Sequence, residues 1–423
     1  MMDKKSWRLR ITLIHASDFG GGAERSVVTL HRALQALGHV STLFVGRRQT
    51  DERGGVEIPY RRGVPGMRRL ARTLEQRFGW QDIYNPSFRN LVRLIPPNTD
   101  VVHFHSLWGS NGFADLGALP AITARWPGVV TMRENWLVTG HCACFHDCDR
   151  WRTGCGRCPN LSLAPPIPRD GTAFNWRRKR SLIGRSRLRV VAISDWLKEV
   201  ALASPILSGK TVTRIYNGID LETFSPLEHH QRTELRQTLG IPADRVAVLL
   251  AGQTVEGIRE GIATHHAVAA LNQLTPGTVL PVVVGHSADR VAGQLRTEAI
   301  VLPFQRTPAE MARCFQGADL CLVTSEVEAF GRIGAESQAC GTPVVAMGAC
   351  AIPEVVRDGV GGILARVGDA ATLAAAIERL ARDPAERSRL GTQGREYVET
   401  HFDQRSIASR YVDLYREVLA TGS

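Results

Sequence analysis

The sequence predicts an α/β protein of two domains, each built on a parallel sheet. Three observations predict it. Short β-branched runs alternate with helical stretches almost from end to end, many of the runs are apolar without interruption, and they are too many for one sheet. Uninterrupted apolar strands fit sheets covered on both faces, where no side alternates toward water. In the first half, strands are expected at 9–16, 40–45, 100–105, 129–132, 189–194 and 212–216. In the second half they are expected at 246–251, 280–285, 319–324, 343–347 and 362–365. The turn-forming Tyr216-Asn217-Gly218-Ile219-Asp220, followed by Phe224-Ser225-Pro226, marks the boundary. This divides the chain into 1–220 and 221–403. A last amphipathic helix, about 404–423 and apolar at Ile407, Tyr411, Leu414, Tyr415 and Val418, returns to the first domain.

A chain of 423 residues with 43% hydrophobic and 22% charged residues has the composition of a globular protein. The formal net charge of +11 attracts anions, but does not choose among nucleotide phosphates, nucleic acid and an anionic membrane surface. No run approaches the ~20 apolar residues of a membrane helix. The run at 11–14, cut by His15, is too short for a signal-peptide core. A cytoplasmic protein is therefore expected.

Two glycine- and glutamate-bearing segments carry the chemistry. Gly20-Gly21-Gly22-Ala23-Glu24 follows the first strand and opens a helix, where backbone amides can approach a phosphate or a sugar. It lacks the spaced glycines of a dinucleotide fingerprint, and a tight turn alone would explain it equally well. Glu328-Ala329-Phe330-Gly331-Arg332-Ile333-Gly334-Ala335-Glu336 follows the strand at 319–324. Glu328 is expected in a loop and Glu336 on the helix after it, at the carboxyl edge of the sheet, where such folds bind ligands. Two solvated acids on a surface helix are the plain alternative.

Five of the nine cysteines crowd between Cys142 and Cys158. Cys142, Cys148, Cys155 and Cys158 are candidate ligands of a structural zinc ion, with Cys144 and His141 as spares. Free thiols and an iron–sulfur cluster remain open. Cys314, Cys321, Cys340 and Cys350 read as ordinary buried residues. Two basic clusters, one of Arg177, Arg178, Lys179, Arg180, Arg185, Arg187 and Arg189, the other of Arg61, Arg62, Arg68, Arg69, Arg72 and Arg77, fall in the first domain. They suggest docking on anionic lipid at the inner face of the plasma membrane, against a plain reading as solvated faces.

Taken together, the GGAE turn, Asn217-Gly218-Ile219-Asp220, the paired glutamates, Cys340-Gly341-Thr342-Pro343-Val344-Val345 and Ile352-Pro353-Glu354-Val355 resemble the family 4 retaining glycosyltransferases of the GT-B fold. His103-Phe104-His105, Trp136-Leu137-Val138-Thr139-Gly140-His141-Cys142, Cys148-Asp149-Arg150-Trp151 and Cys155-Gly156-Arg157-Cys158-Pro159 look like the colanic-acid type of exopolysaccharide enzyme. The resemblance implies two Rossmann-like domains facing across a cleft, no catalytic metal, and transfer from a nucleotide sugar, with uridine the commoner base. The acceptor would be a glycan, a lipid-linked sugar or a small molecule, and nucleic acid would not be a partner. By the same resemblance, Glu336 would hold the donor ribose, and Glu328 with the amides of Ala329, Phe330 and Gly331 would grip the sugar. Gly21 and Gly22 would approach the diphosphate, and the backbone near Phe304 would meet the base.

Two departures from that family stand out. A lysine that neutralises donor phosphates is replaced by Glu260, leaving Arg259 as the candidate to take over. The usual His-Asp reads Arg133-Glu134, so Arg133 would meet either an acidic sugar or an acceptor phosphate. Two alternatives therefore stay open: a glycosyltransferase-like binding subunit without turnover, and a nucleotide-sugar epimerase.

Overall fold

The computed structural model describes residues 8–107, 113–251 and 264–421. The chain forms two compact units, Met1–Gly218 with Arg405–Ser423, and Ile219–Gln404.

The first unit holds seven strands: β1 (Arg10–Ser17), β2 (Val40–Arg47), β3 (Gly55–Glu57), β4 (Val101–His105), β5 (Gly128–Met132), β6 (Leu188–Ala192) and β7 (Val212–Arg214). They pair in the order β3-β2-β1-β4-β5-β6-β7, all parallel. Leu13 registers with Leu43 on one side and His103 on the other. The second unit holds β8 (Ala247–Ala251), β9 (Leu280–Val284), β10 (Ile300–Leu302), β11 (Leu320–Val323), β12 (Val344–Met347) and β13 (Gly362–Ala365). Their order is β10-β9-β8-β11-β12-β13, again all parallel. The sequences Ala-Val-Leu-Leu-Ala of β8 and Leu-Pro-Val-Val-Val of β9 are buried at every position, as strands covered on both faces must be. Val248, Leu250, Val283, Leu322, Leu373 and Ile377 belong to one core of that unit. Each such side chain contributes about 1.5–3 kcal/mol on burial.

All eleven expected strands form. The two strands the sequence did not reveal, β3 and β10, are three-residue edge strands. A strand that short carries no periodicity to read, and its half-exposed residues lack the apolar run of the central strands.

In each sheet the chain leaves the first strand toward one side and later returns to the other. The strand order therefore reverses between β1 and β4, and between β8 and β11. A parallel sheet opens a crevice at such a switch point, at the carboxyl ends of the flanking strands. In the second unit those ends lead into residue 252 and into Thr324.

The last helix, Gln404–Thr421, buries Ile407, Tyr411, Leu414, Tyr415 and Val418. The Tyr415 hydroxyl lies 2.7 Å from His103 Nδ1 and the Tyr411 hydroxyl 3.2 Å from Thr131 Oγ1, so this helix packs over β4 and β5. No described helix is long and apolar enough to cross a membrane.

Candidate active site

The loop after β11 carries Glu328, half-buried, and ends at Gly331, the N-cap of the helix Arg332–Ala339. Gly331 has φ 95°, a left-handed conformation that side chains resist, and a Cβ there would stand 2.8 Å from Ile352 Cδ1. Glycine is thus required on two counts where the chain turns into the helix. Phe330 packs edge-on against Phe402 at 5.4 Å between ring centroids, so its side chain anchors the loop while its backbone stays at the turn. The Glu328 carbonyl accepts from the Ala351 amide at 3.1 Å, tying this loop to the one after β12.

Glu336, in the second turn of the helix, has no exposed surface. Arg332 Nε donates to its Oε1 at 2.5 Å, one turn earlier on the same face. Arg332, to which the sequence pattern assigns no role, thus forms an ion pair with this carboxylate. In this arrangement one oxygen of the Glu336 carboxylate is engaged by a guanidinium. Phe304, in the loop after β10, is half-buried and stacks on His286 with centroids 4.3 Å apart and planes inclined 12°. Glu328, Ala329, Phe330, Gly331 and Phe304 all follow the carboxyl ends of strands in one sheet. Arg259 lies outside the described residues, as does Glu260.

In the first unit, Gly21 is the N-cap of the helix Gly22–Ala36 without a side-chain cap, so the opening amides of that helix carry its partial positive charge. Gly20 takes φ 151° to make the turn, and Glu24 sits in the first helical turn with Oε1 3.7 Å from His15 Nε2. Arg133 follows β5 and is largely buried. Its Nη1 donates to Asn217 Oδ1 at 2.6 Å and its Nη2 to His105 Nδ1 at 3.2 Å. His103 lies 2.7 Å from both Tyr415 Oη and Thr131 Oγ1. Burial, reinforced by the Arg133 charge, holds His103 and His105 well below the usual histidine range. Both are therefore neutral at pH 7, packed beside the Arg133 guanidinium. The alternation in His103-Phe104-His105 hinted at this cluster, but nothing linked it to Tyr415, 312 positions away.

Cys142, Cys148, Cys155 and Cys158 line one small cavity with His141. Cys155 Sγ accepts from the Gly140 amide at 3.2 Å, and Cys158 Sγ lies 3.4 Å from His141 Nε2. Among the described residues, however, no three of these side chains bring their ligand atoms within 4.8 Å of one another, so a closed tetrahedral set is not assembled. Burial pushes the Cys142 thiol up to about 12 and that of Cys155 to about 11, which keeps both protonated at neutral pH. Cys314, Cys321 and Cys340 are buried as expected, but Cys350 is only half-buried.

The basic stretch at 176–189 is not one solvated face. Lys179 is fully buried, its Nζ donating to the carbonyl oxygens of Trp136 (2.6 Å) and Thr139 (3.0 Å) while sitting 3.4 Å from the centre of the Trp136 ring. Arg178 reaches Asp115 at 3.7 Å. The sequence cannot show this because burial of a lysine depends on carbonyls from a distant segment.

Residues 20–223 match the family model of Glycosyltransferase Family 4, and residues 234–397 that of Glycosyl transferases group 1. Each half of the chain therefore carries a glycosyltransferase-family domain, and the two parallel α/β units are those of the GT-B fold. D-inositol 3-phosphate glycosyltransferase of Streptomyces bingchenggensis is 32% identical over 222 residues, covering 49% of this chain and 48% of that protein. The chain thus spans about half the length of this curated relative. Sucrose-phosphate synthase of Thermosynechococcus elongatus superposes with a TM-score of 0.70 at 22% identity, over 98% of this chain and 100% of that one. Anabaena Alr3699/HepE in complex with UDP and glucose gives 0.69 at 18% identity, over 96% and 100%. At those identities the likeness to the two structures is one of fold. None of these three is of the colanic-acid type.

Proposed function

We propose that the protein transfers a hexosyl unit from a nucleotide sugar, a UDP-sugar, to an acceptor, with the donor held in the second unit. The observation that carries this reading is the pair of glutamates: Glu328 in the loop after β11 and Glu336 on the helix that loop opens, at the point where the strand order reverses. Glu328 and the amides of Ala329, Phe330 and Gly331 take the sugar, Glu336 takes the ribose, and the backbone at Phe304 takes the base. Positive charge against the departing diphosphate comes from basic side chains and helix termini rather than from a catalytic metal. Arg332 joins Arg259 as a source of it. The Anabaena structure with UDP and glucose supports the choice of base.

For the acceptor, the inositol-phosphate and sucrose-phosphate names among the relatives favour a phosphorylated polyol or sugar, with Arg133 beside His105 as the cation for its phosphate. A second reading, a lipid-linked acceptor, is favoured by the helix Met67–Phe78, whose only buried residue is Ala71. Arg68, Arg69, Arg72 and Arg77 are exposed on it, as are Met67, Leu70 and Phe78. Basic and apolar side chains together on an unpartnered helix suit the surface of an anionic bilayer. On this reading the chain sediments with anionic vesicles at low salt, and replacing Arg68, Arg69 and Arg72 by glutamine releases it. A structural zinc ion at Cys142, Cys148, Cys155 and Cys158 belongs to the same proposal, and would have to draw the loop together.

The test of donor chemistry is nucleotide release from UDP-, GDP- and ADP-sugars. Slow hydrolysis of one UDP-sugar, weakened roughly 10- to 150-fold in a folded Glu336→Gln protein, is the expected result. A chain that neither releases nucleotide nor gains thermal stability from any of the three donors is not a transferase. Thermal stabilisation without release, in the presence of candidate acceptors, identifies the binding-subunit alternative.

A further inference from the structure

The second histidine-bearing cluster lies in the other unit and is not used by the reaction proposed above. The helix Thr264–Leu271, which follows β8 across the switch point, opens with His265 and His266. Their imidazoles and the Glu326 carboxylate each present one ligand atom, all within 4.8 Å of one another. Among the described residues no other group of three His, Cys, Asp or Glu side chains comes so close. His266 Nε2 stands 2.9 Å from Glu326 Oε1, and the two rings have centroids 4.0 Å apart. Successive helical residues point about 100° apart and do not normally face one another. Two adjacent imidazoles converging on one carboxylate is therefore not a consequence of helix geometry. Two residues before Glu326, Thr324 is 2% exposed, and its hydroxyl finds no hydrogen-bond partner among the described residues. A buried hydroxyl in that state ordinarily has a water or another ligand as its partner.

We propose that His265, His266 and Glu326 bind a first-row divalent transition-metal ion, of which Zn2+ is the best match. Two imidazole nitrogens and one carboxylate oxygen suit zinc or its neighbours, whereas Mg2+ and Ca2+ prefer oxygen alone. Ligand atoms about 2.0–2.1 Å from a tetrahedral ion stand about 3.3–3.4 Å apart. The three side chains, now within 4.8 Å of one another, would close around the ion by up to roughly 1.5 Å. Three protein ligands leave at least one coordination position open for water or a phosphate oxygen. The bound ion ties the helix Thr264–Leu271 to the loop after β11. If the donor assignment also holds, it places positive charge two residues from Glu328.

Titration of the full-length chain with Co2+, in the absence of nucleotide, tests the site independently of any transferase activity. The expected result is one equivalent bound with nitrogen- and oxygen-ligand field bands, separate from any equivalent taken by the cysteine loop, which a sulfur-to-cobalt charge-transfer band marks. Affinity should fall about 100-fold in both His266→Ala and Glu326→Gln, and stay unchanged in the exposed His230→Ala control. Glu326→Gln is isosteric, so it keeps the test decisive if His266→Ala fails to fold. No binding, binding unmoved by either variant, or a sulfur band alone, which would assign the ion to the cysteine loop, overturns the proposal.

Discussion

Glu336→Ala is expected to destabilise the second unit by about 3–5 kcal/mol, because it leaves the Arg332 guanidinium buried without its carboxylate. Chemical denaturation would report this as a shifted midpoint at unchanged slope. Glu336→Gln keeps an acceptor for Arg332 Nε and is expected to cost far less. Replacing both residues, as Arg332→Leu with Glu336→Gln, removes the charge as well as its partner and should recover much of the loss. The activity readout separates the structural role from the chemical one. Exchange of a charge-assisted hydrogen bond for a neutral one costs about 1.5–3 kcal/mol at most, or roughly 10- to 150-fold in donor binding. A stably folded Glu336→Gln protein with undiminished nucleotide release would remove Glu336 from the donor site and leave it a packing residue.

The second large effect is on pH. His103 and His105 are completely buried and held neutral by that burial, with Arg133 adding to it, so their folded pKa values lie well below those of the unfolded chain. The unfolded state takes up protons as the pH falls through about 6.5, while the folded state does not. Stability is therefore complete above about pH 6.5 and is lost progressively below it. Each histidine contributes a slope of about 1.4 kcal/mol per pH unit. The pair should withdraw roughly 3 kcal/mol from the first unit between pH 6.5 and 5. His31, buried against Ser41 and the Arg53 carbonyl, shifts in the same direction and steepens the loss. Urea midpoints measured at pH 7 and pH 5 check it, and His105→Asn should remove close to half of the pair's slope. A flat profile across that range would mean that the histidines take up protons in the folded protein.

Much of the architecture was legible in the amino-acid order. Buried parallel strands announce themselves as β-branched apolar runs because both faces are covered, and residues 247–251 and 280–284 could hardly be anything else. The glutamate pair was legible for a similar reason: its loop-then-helix placement follows from the strand before it and the glycine within it. Gly331 in particular marks a left-handed turn into a helix that another residue would strain.

What remained hidden was whatever depends on a partner far along the chain. Lys179 reads as one of seven basic residues, and only carbonyls from Trp136 and Thr139, some 40 positions away, make it a buried donor. Arg332 was passed over because a basic residue on a short helix ordinarily points to solvent. The fold instead closes it over Glu336. The cysteines are a further case: their spacing suggests a zinc set, whereas how close the four thiols stand is set by the fold of the loop. Local sequence determines strand, helix and turn because those rest on neighbours within a few residues. Burial of charge, the protonation of the histidines and the meeting of His265, His266 and Glu326 were decided only by tertiary structure, which sets the dielectric and the distances that such chemistry requires.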